Sequence, residues 1–283
     1  MELFATYGLN LVYAFASLGL IVLGLAITFG LLGVMNMAHG EFVALGAYST
    51  LMVQQAGLPF LLAIPLAVIL CAAAGLLIEW SVIRHLYRRP FDTLLATWGI
   101  SILMRKGIEA AFGREFKSID QIMPGTVNLF GTSYPSYRLV LIIVTAVLFL
   151  ALPLWYRRSN TGARIKAMVQ NPDLAAAVGI NTQRLSRLTF VTGTVFAGVA
   201  GALIAPLVRV EPLMGFDYLL SSFFILVVGG LGSIEGLMTG AALIGGSETI
   251  LSAIFDKTAG YLGVLIISIL FLWLRPNGLI SRR

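Results

Sequence analysis

The sequence predicts an all-α, polytopic membrane protein with about eight to ten transmembrane helices, on three observations. Of its 283 residues, 58% are hydrophobic and only 11% charged, whereas an ordinary soluble domain carries roughly 25% charged residues. Apolar runs recur at close to the roughly 20 residues that a helix needs to cross a bilayer. The 19 basic residues gather at the ends of those runs, as the positive-inside rule requires. That clustering accounts for the net charge of +6 without nucleic acid as a partner. A soluble helical bundle would instead show polar faces at 3.6-residue spacing, which these runs lack.

Candidate spans run over roughly 7–33, 36–56, 58–80, 92–112, 138–156, 188–208, 217–231, 236–255 and 259–275. The first has no basic n-region before it and is too long for a signal h-region, so it is expected to be retained. The second opens polar and is either a full span or re-entrant. Arg84, Arg88 and Arg89 close the third, the stretch 157–187 lies two spans on, and Arg282-Arg283 four spans further. Even numbers of crossings place all three clusters on the cytoplasmic side, with the N-terminus outside. The loop 113–137 balances Arg114 and Lys117 against Glu115 and Asp120. Turn residues follow (Pro124, Gly125, Asn128, Gly131, Ser133, Pro135), which fits an extracytoplasmic loop. The single Cys71 lies inside an apolar run, so no disulfide framework exists.

Small residues recur inside the spans, among them Gly24, Gly33, Gly193, Gly198, Gly201, Gly240 and Gly245. They let helix backbones approach closely in lipid. The segments His39-Gly40-Glu41…Gly46-Ala47 and Ile234-Glu235-Gly236…Gly240-Ala241 look faintly alike, a hint of an internal repeat. The run Gly229-Gly230-Leu231-Gly232 breaks one apolar stretch into two, as a broken helix or tight turn. No hydrophilic appendage is large enough for a second domain, so residues 1–283 are one transmembrane domain.

The stretch 157–187 carries the most information. Arg157, Arg158, Arg164, Lys166, Arg184 and Arg187 face one acid, Asp173, in a solvated segment between two spans. Its centre predicts a short helix: Asn171 as N-cap, Pro172 at the first helical position, Asp173 near the positive dipole end, Leu174 and Ala175 within, and Gly179 to end it. Thr161 to Val169 predicts an amphipathic helix before it, lying along the interface. A small, well-capped cytoplasmic helix suggests docking onto a soluble partner.

Two polar groupings lie within the spans. Asn36, His39 and Glu41 sit between apolar stretches, and an intramembrane charge usually faces a cavity or a partner. They form either a polar wall of a translocation path or a helix break. In the break, Asn36 and His39 satisfy freed backbone groups and Glu41 caps the next helix. Thr97, Trp98 and Ser101, with Thr93, lie close together in the fourth span. They offer either hydrogen bonds to a small polar solute, with Trp98 as apolar wall, or bonds to their own helix. Glu235 and Glu248 are further candidates to face a cavity, and the sequence does not choose between them. Catalytic signatures are missing: no G-x-x-x-x-G-K-[ST], no H-E-x-x-H, no G-x-S-x-G, and two histidines cannot build a His-rich metal site. The chain is not expected to be an enzyme.

Four segments together resemble the inner-membrane permeases of the branched-chain amino acid and urea ABC importers. They are Asn36 to Glu41, Leu94-Leu95-Ala96-Thr97-Trp98-Gly99-Ile100-Ser101, Arg157 to Phe190, and Val228-Gly229-Gly230-Leu231-Gly232-Ser233. The Ala-Thr-Trp-Gly run looks more like the urea branch. The resemblance implies import of a small polar solute, urea first and a branched-chain amino acid or short amide second, by alternating access across a bacterial inner membrane. It implies these partners beside membrane lipid: a second, non-identical permease subunit, two ABC ATPase subunits that hold ATP and Mg, and a periplasmic solute-binding protein. No cofactor is expected in this chain. Asp173, Ala175 and Gly179 match the coupling segment of such importers, while Leu174 stands where that pattern prefers alanine. Two other classes compete. Asn36-Met37-Ala38 and Asn171-Pro172-Asp173 resemble the paired N-P-A of water and urea channels, but the second copy is too polar to re-enter the bilayer. A secondary transporter would use Glu41, Glu79 or Glu248 to couple an ion.

Overall fold

The computed structural model describes residues 2–87, 89–129, 131–230, 234–275 and 279. Arg88, Gly232, Arg282, Arg283 and the Glu235 side chain lie outside the described part. Nine long helices and two short ones make up the fold among the described residues. In chain order they are α1 (Glu2–Leu32), α2 (His39–Gln55), α3 (Ala63–Ser81), α4 (Pro90–Phe112), α5 (Ser136–Arg158), α6 (Asn160–Gln170), α7 (Pro172–Ala177), α8 (Thr182–Ile204), α9 (Met214–Gly229), α10 (Ile234–Ile254) and α11 (Lys257–Leu274). The long ones coincide with the nine expected spans. Five of them are long and apolar enough to cross a membrane alone, and α9 and α11 are shorter apolar helices. The chain is thus a polytopic helical membrane protein.

The loop 113–135 departs from the all-helical expectation. Thr126–Leu129 (β1) and Thr132–Pro135 (β2) pair antiparallel, with Asn128 opposite Ser133 and Leu129 opposite Thr132. Four-residue strands interleaved with turn residues carry too short a period-2 signal to see. What fixes the hairpin is a long-range anchor. Tyr134 is buried and its hydroxyl reaches the Leu9 carbonyl and Asn10 Oδ1, both at 3.2 Å. Lys117 forms a backbone bridge with Val210, and the Asp120 N–H donates to Gln54. The end of α2, this loop and the end of α8 therefore share one face of the molecule. The opposite face gathers Leu31, Leu32, Tyr156 and α6–α7.

The two halves of the chain pack as counterparts. The contact of α1 with α10 is matched by that of α3 with α8, α2–α3 by α9–α10, α2–α8 by α1–α9, and α2–α4 by α9–α11. Because α5 separates α1–α4 from α8–α11, the two quartets run in opposite senses, an inverted repeat. The repeat matches α2 with α9, not residues 39–47 with 234–241 as the sequence likeness hinted. At its centre the first turns of α2 and α9 touch backbone to backbone. A Cβ on Gly40 would collide with the Gly215 carbonyl oxygen, and one on Gly215 would sit 2.6 Å from the Gly40 oxygen. Gly24 of α1 and Gly193 of α8 cross in the same way, as lipid-phase helix packing requires. Gly33 serves otherwise: with φ of 67° and open space around it, it ends α1.

Helix α2 is wrapped almost completely, with thirteen of its seventeen residues buried. That enclosure is why its polar start is tolerated, since irregular backbone at membrane depth must be covered by protein. Gly229 and Gly230 (φ 101°) end α9, and α10 packs back against it. The run's last two residues, Leu231 and Gly232, lie outside the described residues, so the described part of it is the glycine ending of α9.

Candidate functional site

On the face opposite the hairpin, α6 and α7 form a compact elbow. The Ser159 side chain caps α6 by accepting from the Gly162 N–H at 2.9 Å, and Ile165 and Met168 face inward. The amphipathic helix expected over 161–169 is α6. Asn171 Oδ1 caps α7, accepting from the Leu174 N–H at 2.9 Å, with Pro172 at the first position and Asp173 in the first turn. Gly179 closes it at φ 87°. Its N–H donates to Ala176 and that of Ile180 to Ala175, both at 3.0 Å, the paired bonds of a Schellman ending. Ala175 faces inward, sharing an apolar cluster with Ile165, Met168 and Leu185 against Leu31 and Leu32 of α1. Leu174 and Val178, four residues apart, are 62% and 70% exposed. They share a helix face, so a short helix anchored on one side offers an apolar pair on the other.

A second cluster braces that elbow. Glu79 of α3, fully buried, accepts from Arg187 Nε of α8 at 2.7 Å and from the Tyr87 hydroxyl at 3.3 Å. Burial, and then the Glu79 carboxylate beside it, hold the Tyr87 phenol well above its ordinary pKa, so it stays a donor. Sequence reasoning missed this pairing because Glu79 and Arg187 lie 108 positions apart.

In the interior, residues 33–38 leave α1 and enter α2 as irregular chain. Asn36 Oδ1 accepts from the Ala38 N–H at 3.1 Å, and the Thr97 hydroxyl both accepts from the Met37 N–H at 3.0 Å and lies 3.2 Å from the Met35 carbonyl. His39 Nε2 donates to the Ile21 carbonyl at 3.0 Å. Asn36, His39, Glu41, Thr97 and Ser101 are all buried, and the three hydroxyls Thr93, Thr97 and Ser101 form the stripe by which α4 meets this joint.

Glu41 caps nothing, contrary to one of the two expectations: α2 has no side-chain cap. Its Oε1 instead accepts from Ser101 Oγ at 2.9 Å and from Arg105 Nε and Nη2 at 3.1 and 2.7 Å. Arg105, absent from the sequence-based candidates, lies one turn beyond Ser101 and stacks 5.7 Å above the Phe216 ring of α9. A regular four-residue rhythm (Thr93, Thr97, Ser101, Arg105) was the available signal. Trp98 does not join the group. It is 56% exposed and lies off the buried stripe, so the apolar wall expected of it is not where the polar residues meet. Glu41 and Glu79, both candidates for ion coupling, are each bound to an arginine. No group of three metal-ligating side chains occurs among the described residues.

Residues 7–274 match the family described as branched-chain amino acid transport system, permease component. The high-affinity branched-chain amino acid transport system permease protein LivH of Salmonella typhimurium is 30% identical, covering 93% of this chain and 91% of its own. BraD of Pseudomonas aeruginosa, a permease protein of the same description, shows the same identity and coverage. LivM of Escherichia coli, likewise named, is 28% identical over 91% of this chain and 66% of its own. Among solved structures, a chain of PsaBC from Streptococcus pneumoniae in complex with Fab superposes with a TM-score of 0.53 at 12% identity, covering 96% of this chain and 92% of that one. That likeness speaks for the fold alone. With its family matched over nearly the whole chain and its helices arranged as described, this protein belongs to the branched-chain amino acid transport system permease family.

Proposed function

We propose that this chain is one permease subunit of an ATP-driven importer for branched-chain amino acids in a bacterial inner membrane. It works with a second, non-identical permease, two ATPase subunits that bind ATP and Mg, and a solute-binding protein that delivers the cargo. The kinship with both LivH and LivM supports a paired permease. The names of those relatives favour amino acids over urea, the first expectation from the Ala-Thr-Trp-Gly run.

The observation that carries the proposal is α7, whose Leu174 and Val178 protrude from a helix anchored through Ala175. A protruding apolar pair on a capped helix suits a groove in an ATPase. Closure of the ATPase pair displaces α7, and the cluster behind it passes that displacement to the inner end of α1 and the start of α8. The joint at 33–38 follows, and with it the polar line of Asn36, His39, Glu41, Thr97 and Ser101, which serves as part of the path. Gly229 and Gly230 hold α9 and α10 together as one moving unit. The small number of charges in the path suits a solute with no net charge.

The test is uptake by the reconstituted complex with leucine, isoleucine, valine, urea and short amides, alongside ATP hydrolysis. Branched-chain amino acids should accumulate, and Leu174→Ser with Val178→Ser should cut solute-stimulated ATP hydrolysis about tenfold while leaving membrane insertion intact. Accumulation of urea alone would overturn the substrate, and undiminished hydrolysis would overturn the role of α7.

A further inference from the structure

We propose that Glu41 and Arg105 form a transient binding site for the zwitterionic head group of the transported amino acid, an inference that rests on the amino-acid reading above. The ion pair is incomplete in a specific way. Arg105 places both Nε and Nη2 on the same oxygen, Oε1, and Ser101 adds a third donor there. Among the described residues Glu41 Oε2 has no hydrogen-bond partner, although the residue is 1% exposed. An arginine serving only as a brace would grip both oxygens in a parallel fork, which is the stronger arrangement. Here an acceptor is left for a ligand, and the guanidinium keeps its Nη1 edge outside the pair.

The surroundings add to the argument. His39 donates through Nε2 to a carbonyl, which can only accept, so its Nδ1 is a bare acceptor, and Nδ1 has no partner. Asn36 Nδ2 is a buried donor without one. These orphaned atoms occur within six residues, beside the point where the first turns of α2 and α9 meet at Gly40 and Gly215. A free α-amino acid supplies what is missing: an ammonium for Oε2 and a carboxylate for the free edge of Arg105. The Arg105 side chain, 18% exposed, lies beside the half-exposed Phe216, which marks the side from which a solute reaches the pair.

The test uses the complete importer in proteoliposomes and reads leucine moved per ATP hydrolysed. Glu41→Gln should lower that ratio at least tenfold, and Glu41→Asp should hold it within threefold. The exchange Glu41→Arg with Arg105→Glu restores a brace but reverses the site, so the complex should assemble and melt as the wild type does while leucine uptake stays below a tenth. Recovery of uptake in the exchanged pair, or a ratio within twofold for Glu41→Gln, would overturn the proposal. Should these variants fail to assemble, Ser101→Cys in a Cys71→Ala background gives a second measurement. Leucine should slow its reaction with a small thiol reagent at least threefold, whereas 4-methylpentanoate, which lacks the ammonium, should not. Equal slowing by both, or none by leucine, would overturn the site. Wild-type complex that moves urea but not leucine would remove the amino-acid reading and this site together. Wild-type leucine uptake with indifferent variants would remove the site alone.

Discussion

The elbow at 157–187 and the joint at 33–41 are both interruptions between long helices, and they are held together in opposite ways. In the elbow the contacts that shape the turns are local (Asn171 to Leu174, Ser159 to Gly162, Gly179 to Ala176), while its attachments, Ala175 against Leu31 and Leu32 and Arg187 to Glu79, reach far along the chain. In the joint they come from far along the chain: Thr97 from 60 and 62 positions away, Arg105 from 64, and Gly215 from the other half of the repeat. A locally capped segment can be displaced as a unit without unfolding. A joint stitched to three other helices changes only when those helices shift. That contrast is what the proposed mechanism requires, a self-contained lever and a distant, cross-linked path.

The largest effect should come from the joint. Gly40→Leu forces a side chain into the Gly215 backbone, where neither helix can yield by a rotamer change. Overpacking in a dense core typically costs about 1–3 kcal/mol and more where backbone must move. The upper end or beyond is expected here, read as loss of the folded, detergent-extractable chain in size-exclusion chromatography. The same substitution at Gly179 meets no atom within 4 Å, so the comparison fails if the two are equally damaging.

Next is the brace of the elbow. Among the described residues, Arg187→Ala leaves the fully buried Glu79 carboxylate with only the Tyr87 hydroxyl. Breaking a buried pair from one side costs roughly 3–5 kcal/mol, and the partly exposed Arg187 places this case near the lower figure. A lower thermal midpoint should follow, and Glu79→Leu with Arg187→Leu should restore most of it. If the double replacement melts no higher than Arg187→Ala, the two side chains are not the coupled pair described.

These differences also explain what was legible in the sequence. Helix α7 was readable to the residue, because Asn, Pro, Asp and Gly act on their immediate neighbours and need no tertiary partner. The nine long helices were readable because the bilayer imposes length and hydropathy. Glu41 was recognised as out of place, but its partner was not, since nothing near position 41 points to position 105. The repeat was misregistered for a similar reason. A likeness of Gly and Glu between 39–47 and 234–241 outweighed the Gly40–Gly215 contact, which leaves no local mark. Trp98 was grouped with Thr97 by adjacency, although neighbours on a helix point about 100° apart, a consequence of 3.6 residues per turn.

A smaller effect is expected in the elbow itself. Gly179→Val places a β-branched residue at φ 87°, a left-handed conformation that costs about 1–2 kcal/mol for a residue with a Cβ. Nothing else crowds the position, so the chain should fold and insert. The strain falls on the turn that aims α7, and solute-stimulated ATP hydrolysis should drop several-fold while the isolated subunit loses no more stability than that strain of about 1–2 kcal/mol. A matching fall in both would mean that the turn supports the fold rather than the docking angle.

The smallest effect should come from Trp98→Ala. The ring is more than half exposed and makes none of the hydrogen bonds that fasten α4 to the joint, which run through Thr97, Ser101 and Arg105. Surface substitutions of this kind usually stay within about 0.5 kcal/mol, so the thermal midpoint of the isolated chain should hardly move. Leucine uptake by the complex should stay within twofold, because the polar line lies on a different side of α4. A tenfold loss of uptake at unchanged stability would return Trp98 to the path. The path would then pass along the outer surface of α4, and the contrast between a local lever and a cross-linked interior would have to include that surface.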